Sequence, residues 1–264
     1  MSDAFEYPSV TELIQAFRQG RLTPEDATEA ALARIKATEP TLNAFQLVDE
    51  AGAREAAAAS ATRWAEGRPL GPMDGIPLSI KDIVAMKNWP TLSGSKTVDS
   101  NGPFDEDAPA VARLREGGAV ILGKTTTPEF GWKGMTDSPL AGITRNPWNP
   151  AHTSGGSSGG AAASLAAGVG AIAFGTDGGG SIRIPSNYCG VFGIKPSYGR
   201  VPHAPNDRPF STISSGGPIA RTVTDAALFL NVVTQPDDRD WRALPPDGRD
   251  YRIGLDDGVR GLRI

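Results

Sequence analysis

Val169-Gly-Ala-Ile-Ala-Phe174, followed by Gly175-Thr-Asp-Gly-Gly-Gly-Ser-Ile-Arg183, carries the clearest fold signal in the chain. The first six residues read as an apolar strand, 175–180 as a loop, and a short helix is expected to open near Ser181. Three consecutive glycines leave successive N–H groups unobstructed, which suits the stabilisation of a developing oxyanion. A serine directly after them, Ser181, would hold its hydroxyl beside those donors. Asp177 can order such a loop by accepting backbone bonds, and Arg183 can anchor it. Read alone, the segment leaves a tight turn joining a strand to a helix as the lesser alternative.

Working outward, strands and helices alternate. Val10, Leu13, Ile14 and Phe17 draw one apolar helical stripe, opened by the capping pair Ser9 and Glu12 and stopped at Gly20. A second helix starts at Thr23-Pro24, with Leu32 and Ile35 inward. A short strand over 43–48 and an alanine-rich helix over 49–66 follow. The segment 76–84 is apolar but interrupted by Lys81 and Asp82; a helix over 109–116 precedes a strand over 119–122. The stretch 146–160 reads as loop, 161–167 as a small-residue helix, and 223–233 as an amphipathic helix capped by Thr222 or Thr224. This order predicts an α/β sandwich with a partly parallel sheet. At the far end, 252–255 and 262–264 resemble strand starts, which leads us to expect that the fold continues beyond Ile264.

Composition narrows the partners. The net charge of −4 over 264 residues advertises no basic face, which argues against nucleic acid or an anionic membrane. Glycine is dense, 32 residues or about 12% against a usual ~7%. The one cysteine, Cys189, cannot form an intramolecular disulfide and reads as a packing residue in a reducing, cytoplasmic protein. Met1 to Tyr7 shows no leader pattern, and no apolar run is long enough to span a bilayer.

Three motifs compete for attention. Gly118-Ala-Val-Ile-Leu-Gly-Lys-Thr125 satisfies a phosphate-loop pattern, but its variable residues form a core strand by composition, ending in an edge lysine. Ser93-Gly-Ser-Lys96 matches a serine–lysine pairing that requires one helical turn; Pro90 and Gly94 make a surface loop the better reading. Gly155-Gly-Ser-Ser-Gly-Gly160 contains the G-x-S-x-G elbow around Ser157, yet no strand precedes it and only His203 follows as a base. Serines at the start of the 161–167 helix favour developing negative charge.

A serine nucleophile needs a base, and the chain has two histidines. A lysine serves if burial keeps it neutral. Lys81 in Ile76-Pro-Leu-Ser-Ile-Lys-Asp-Ile-Val84 is either a strand end reaching to water or a buried functional amine; the residues alone leave both open.

Lys81 within Gly75-Ile-Pro-Leu-Ser-Ile-Lys-Asp82, the Gly155–Gly160 stretch, Gly175–Arg183 and Cys189-Gly-Val-Phe-Gly-Ile-Lys-Pro196 together resemble the amidase signature family, in order and in spacing. The resemblance runs from about residue 9 to the end. It implies an α/β/α sandwich around a mixed central sheet, with an N-terminal helical region (1–70) packed on a signature core (71–264) that is incomplete at its C-terminus. It also implies a Ser–cis-Ser–Lys triad: Ser181 the nucleophile, Ser157 the bridging serine after a non-proline cis peptide, Lys81 the neutral base. Gly178, Gly179, Gly180 and Ser181 would supply the oxyanion N–H groups, with Ser158, Thr176, Asp177 and Arg183 in support. Family members commonly carry threonine or isoleucine at the place of Gly178, so a looser oxyanion loop is expected.

The expected activity is hydrolysis of a small carboxylic amide to acid and ammonia or amine, without metal or cofactor; a homodimer is left open. Two alternatives stand beside it. One is the glutaminase subunit of a tRNA-dependent amidotransferase, although Thr127-Pro-Glu-Phe-Gly-Trp132 looks more like stand-alone amidases. The other is an inactive, truncated fragment.

Overall fold

In the computed structural model, residues 7–205 and 212–263 are described. The chain runs α1 (Val10–Arg18), α2 (Pro24–Leu42), β1 (Phe45–Val48), α3 (Glu50–Ala65), β2 (Pro77–Lys81), α4 (Pro109–Glu116), β3 (Val120–Thr125) and a single 3-10 turn, Glu129–Gly131. It continues with β4 (Asp137–Ser138), β5 (Gly142–Ile143), α5 (Gly159–Ala166), β6 (Ile172–Asp177), α6 (Arg183–Cys189), β7 (Phe192–Gly193), β8 (Ser215–Ala220) and α7 (Val223–Val233).

Helix starts follow their sequence signals. Ser9 and Glu12 cap α1 reciprocally, Thr23 and Asp26 do the same for α2 with Pro24 at its first position, and Thr222 caps α7. Asp225, on the first turn of α7, also accepts from Val10 N and Thr11 N of α1, so one buried carboxylate holds two helix starts together.

Six strands form one mixed sheet in the order β1-β3-β2-β6-β8-β7. The three central strands β3, β2 and β6 are parallel, and antiparallel partners flank them. Alternation along the strands feeds two cores. Leu78, Ile80, Ile121, Ile172 and Phe174 pack with α1, α4 and α7 on one face. Val120 and Leu122 meet α2 and α3 on the other, where Ala173 and Ile219 meet α5. Helices on both faces bury the central strands completely, as parallel sheets require. The result is the α/β/α sandwich with a mixed sheet. Among the described residues no helix is long and apolar enough to cross a membrane.

Several local expectations are corrected. The strand expected to end at Leu122 continues to Thr125, so Lys124 is an interior residue with no exposed surface rather than an edge lysine. Likewise β6 runs through Asp177, because Gly175, Thr176 and Asp177 pair with Gly217, Gly216 and Ser215. That partner, β8, is hidden in the sequence by its Gly-Gly-Pro composition. Its glycines are there for contact: a Cβ on Gly216 would strike the Phe174 ring at 2.5 Å, and one on Gly217 would strike Ile194 O at 2.6 Å. The strand expected at 252–255 is a run of turns, since Asp250 accepts from Arg252 N and its guanidinium, and Ile253 N bonds back to Asp250 O. Leu262 is in no strand either; Ile264 and the leader reading of residues 1–6 lie outside the described residues.

Candidate active site

The C-terminal ends of β2 and β6 open onto one place in the fold. Lys81 is the last residue of β2, in register with Thr125 on β3, and has no exposed surface. Its Nζ lies 2.6 Å from Ser157 Oγ and 2.9 Å from Thr176 Oγ1. Burial pushes the ammonium down to about 7, against the opposing pull of the Asp177 carboxylate. The side chain is therefore a buried amine, neutral over much of the ordinary pH range, and not a strand end reaching to water.

Ser157 sits in a loop, 154–158, that is buried throughout. The Gly156–Ser157 peptide is cis. Gly155 has φ +75°, and a Cβ on Gly156 would meet the Met135 backbone at 2.7 Å, so both positions take glycine for geometric reasons. Thr136 holds this loop from outside: its hydroxyl donates to Gly155 O at 2.8 Å and accepts from Gly159 N at 3.1 Å. No strand leads into Ser157, which removes the nucleophile-elbow reading.

The loop after β6 is organised by Asp177. Its buried carboxylate accepts from Gly180 N, Ile182 N and Arg183 N at 2.7, 3.1 and 3.3 Å, and pairs with Arg183 through Nε and a terminal nitrogen at 2.9 and 3.0 Å. Burial raises its pKa, but Arg183 and the three N–H groups outweigh that and hold it at about 2. Gly180 has φ +117°, and a Cβ there would come 2.8 Å from Ile184 Cδ1. The two loops are tied to each other: Ser158 N donates to Ser181 O at 3.0 Å, and Ser158 Oγ donates to Thr176 O at 3.2 Å.

One expectation about the oxyanion donors is corrected. Gly180 N–H is committed to the Asp177 carboxylate at 2.7 Å and is not a free donor. Among the described residues, the N–H groups of Gly178, Gly179 and Ser181 meet no acceptor. Gly179 is exposed with open space above it, and Gly178 has only Ile213 nearby, 3.8 Å from where its Cβ would be.

The other motifs resolve plainly. The phosphate-loop match lies in β3 from Val120 to Thr125, with only Gly118 and Ala119 before the strand. Ser93–Lys96 is a turn, as expected, but Gly94 and Ser95 are buried, and Ser95 Oγ donates to Glu129 Oε1 at 2.8 Å. Cys189 is buried with its thiol pushed up to about 12 by burial, which makes it a packing residue. Thr136 and the buried pair Lys124–Asp82 (3.1 Å) were not anticipated. Thr136 stands in a stretch without periodicity, so nothing in the sequence marks it. Asp82 and Lys124 did carry a signal, as two charges inside apolar runs.

A family model described as Amidase matches residues 26–264. The A subunit of a glutamyl-tRNA(Gln) amidotransferase from Chloroflexus aurantiacus is 43% identical over 256 residues, 97% of this chain and 52% of that protein. An acylamidase from Rhodococcus erythropolis is 40% identical over 256 residues, 97% of this chain and 54% of its own. Among solved structures, a bacterial aryl acylamidase of the amidase signature type is 36% identical, with a TM-score of 0.89 over 97% of this chain and 53% of that one. The chain thus spans about half the length of the curated relatives it matches.

Proposed function

Because the chain belongs to the amidase signature family, we propose that it is the catalytic portion of an amidase that converts a carboxylic amide to a carboxylate and ammonia or an amine. The observation that carries this reading is the fully buried Lys81, held near pKa 7 and 2.6 Å from Ser157 Oγ. A neutral amine in that position is a base aimed at a hydroxyl.

In the proposed sequence Lys81 takes the proton of Ser157 while Ser157 takes that of Ser181. Ser181 Oγ then attacks the amide carbonyl. The N–H groups of Gly178, Gly179 and Ser181, which meet no acceptor among the described residues, supply donors for the oxyanion. Gly180 contributes through Asp177 instead, which fixes the loop. The proton returns through the relay to the leaving nitrogen, and a water molecule, deprotonated by the same route, releases the acid. Ser158 and Thr176 support the geometry by joining the loop of Ser157 to β6.

Labelling with a fluorophosphonate and mapping the adduct by mass spectrometry tests the assignment. Modification of Ser181, lost in Lys81→Met, is expected; an adduct on Ser157 would overturn it. Hydrolysis of a series of acyl anilides of increasing chain length then reads out the acyl preference.

A second reading has its own support, since several relatives at 41–43% identity are A subunits of glutamyl-tRNA(Gln) amidotransferases. Release of ammonia from glutamine only when partner subunits co-purify would favour it over a free amidase. A cytoplasmic setting is part of the proposal, resting on the single buried cysteine.

A further inference from the structure

The proposed chemistry leaves one buried charged cluster unused. Lys124 and Asp82 have 0% and 1% exposed side chains and an Nζ–Oδ1 distance of 3.1 Å. Lys124 Nζ also donates to Val84 O at 2.9 Å and Thr91 Oγ1 at 2.6 Å, so each of its three N–H bonds has an acceptor. Asp82 accepts in turn from Leu92 N at 3.3 Å. We propose that Asp82 and Lys124 are positioning residues that hold Lys81 and the wall beside Ser157 in register with each other.

The connection runs along the chain in both directions. Lys81 and Lys124 occupy neighbouring register positions on β2 and β3, where Ile80 pairs with Lys124 and Lys81 with Thr125. Strand alternation sends their side chains to opposite faces, so Lys124 does not compete for Ser157. Instead it grips the chain just past Lys81 through Asp82 Oδ1 and Val84 O, on a stretch whose backbone is also tied by Asp82 N to Thr125 O and by Val84 N to Lys81 O. Through Thr91 and Leu92 the same pair seats the turn that follows. Ser93 O in that turn accepts from Phe130 N at 2.7 Å, and Ser95 Oγ donates to Glu129. The 3-10 turn held there brings Gly131 so close that a Cβ on it would stand 3.2 Å from Ser157 Oγ. One ion pair thus fixes the base on one side and the wall of the bridging serine on the other.

Stability alone is a poor reason for such a pair. Removing two charges from water is expensive, and apolar residues of similar volume usually hold a core as well or better. An apolar pair could not, however, bind Val84 O, Thr91 Oγ1 and Leu92 N at once. Directional bonds to three backbone or side-chain groups are what the charges add here.

The inference rests on the reading of Lys81 as the base, and the test separates the two. The full chain, the double variant Asp82→Leu/Lys124→Met, and Thr91→Val are compared by saturation kinetics of fluorophosphonate labelling at Ser181, alongside melting temperature. For the double variant we expect a melting temperature at or above the parent's, a maximal labelling rate at least fivefold lower, and a half-saturating probe concentration within twofold. A space-filling pair would leave that split unmoved. Thr91→Val, which leaves one Lys124 N–H without its acceptor and should lower the melting temperature by only a few degrees, is expected to label two- to fivefold more slowly, and it decides the matter if the double variant does not fold. Parent-like rates in the folded double variant, or in Thr91→Val where the double variant does not fold, overturn the positioning role alone. If the parent fails to label at Ser181, or Lys81→Met labels as fast as the parent, the relay falls and the positioning role with it.

Discussion

Replacing Lys81 with methionine should make the protein more stable, and by an amount that depends on pH. In the unfolded chain a lysine keeps its proton up to about pH 10.5, whereas in the fold Lys81 keeps it only below about 7. The folded pKa is depressed, so between those values the unfolded state binds the extra proton, and stability rises with pH across that window. At 1.36 kcal/mol per pH unit, folding gives up about 4–5 kcal/mol at pH 6 and about 2 kcal/mol at pH 9. The side chain is fully buried, so solvent does not screen this cost. Methionine has similar length and no charge, and its loss of the bonds to Ser157 and Thr176 is independent of pH. Urea denaturation of parent and Lys81→Met at both pH values, followed by tryptophan fluorescence, isolates the titrating part. The stability gap should narrow by about 2–3 kcal/mol from pH 6 to pH 9. Asp177, held near pKa 2, does not titrate in that range. A gap constant to within about 0.5 kcal/mol, below the usual extrapolation error, would refute the idea of a desolvated, neutral amine.

The other expectations are shorter. Ser181→Ala should lower amide turnover by at least about 10³-fold with little change in melting temperature, as removal of a nucleophile does; steady-state assays check it. Turnover of the parent should rise with pH through about 7, as Lys81 loses its proton. In Asp177→Asn that limb should move to lower pH while the plateau falls, because the carboxylate that favours the lysine's proton and orders the 178–183 loop is gone; a pH–rate profile reads both. Gly180→Ala should destabilise by roughly 1–3 kcal/mol, the usual cost of a non-glycine residue at such a φ, and should slow labelling of Ser181.

Much of the fold was legible because its signals are local. The capping pair Ser9–Glu12, the Thr23-Pro24 helix start and the largely apolar stretch before Lys81 each report their own element. β8 was illegible for the opposite reason. Gly216, Gly217 and Pro218 have no strand preference of their own; they are extended because β6 pairs with six of their segment's residues and Phe174 leaves no room for a Cβ. The length of β3 failed in the same way: a lysine reads as a strand end until Asp82, forty-two positions earlier, is known to neutralise it.

The site divides along the same line. That Lys81 lies beside Ser157 was expected only from the resemblance to the amidase signature, because the residues alone left Lys81 open between a strand end and a buried amine. What holds those residues in place was not legible at all. Thr136 secures the loop of Ser157 with one hydroxyl used as both donor and acceptor, a role any threonine in any turn could have. Gly180 looked like an oxyanion donor in a row of identical glycines, and only the 2.7 Å bond to Asp177 separates it from its neighbours. That bond alters the physical picture of the loop. Three glycines in sequence suggest slack, yet one of them is clamped by a carboxylate that also carries Ile182, Arg183 and the guanidinium. The N–H groups of Gly178, Gly179 and Ser181 therefore project from a fixed base, and the proposed oxyanion role asks for donors that need no reorganisation.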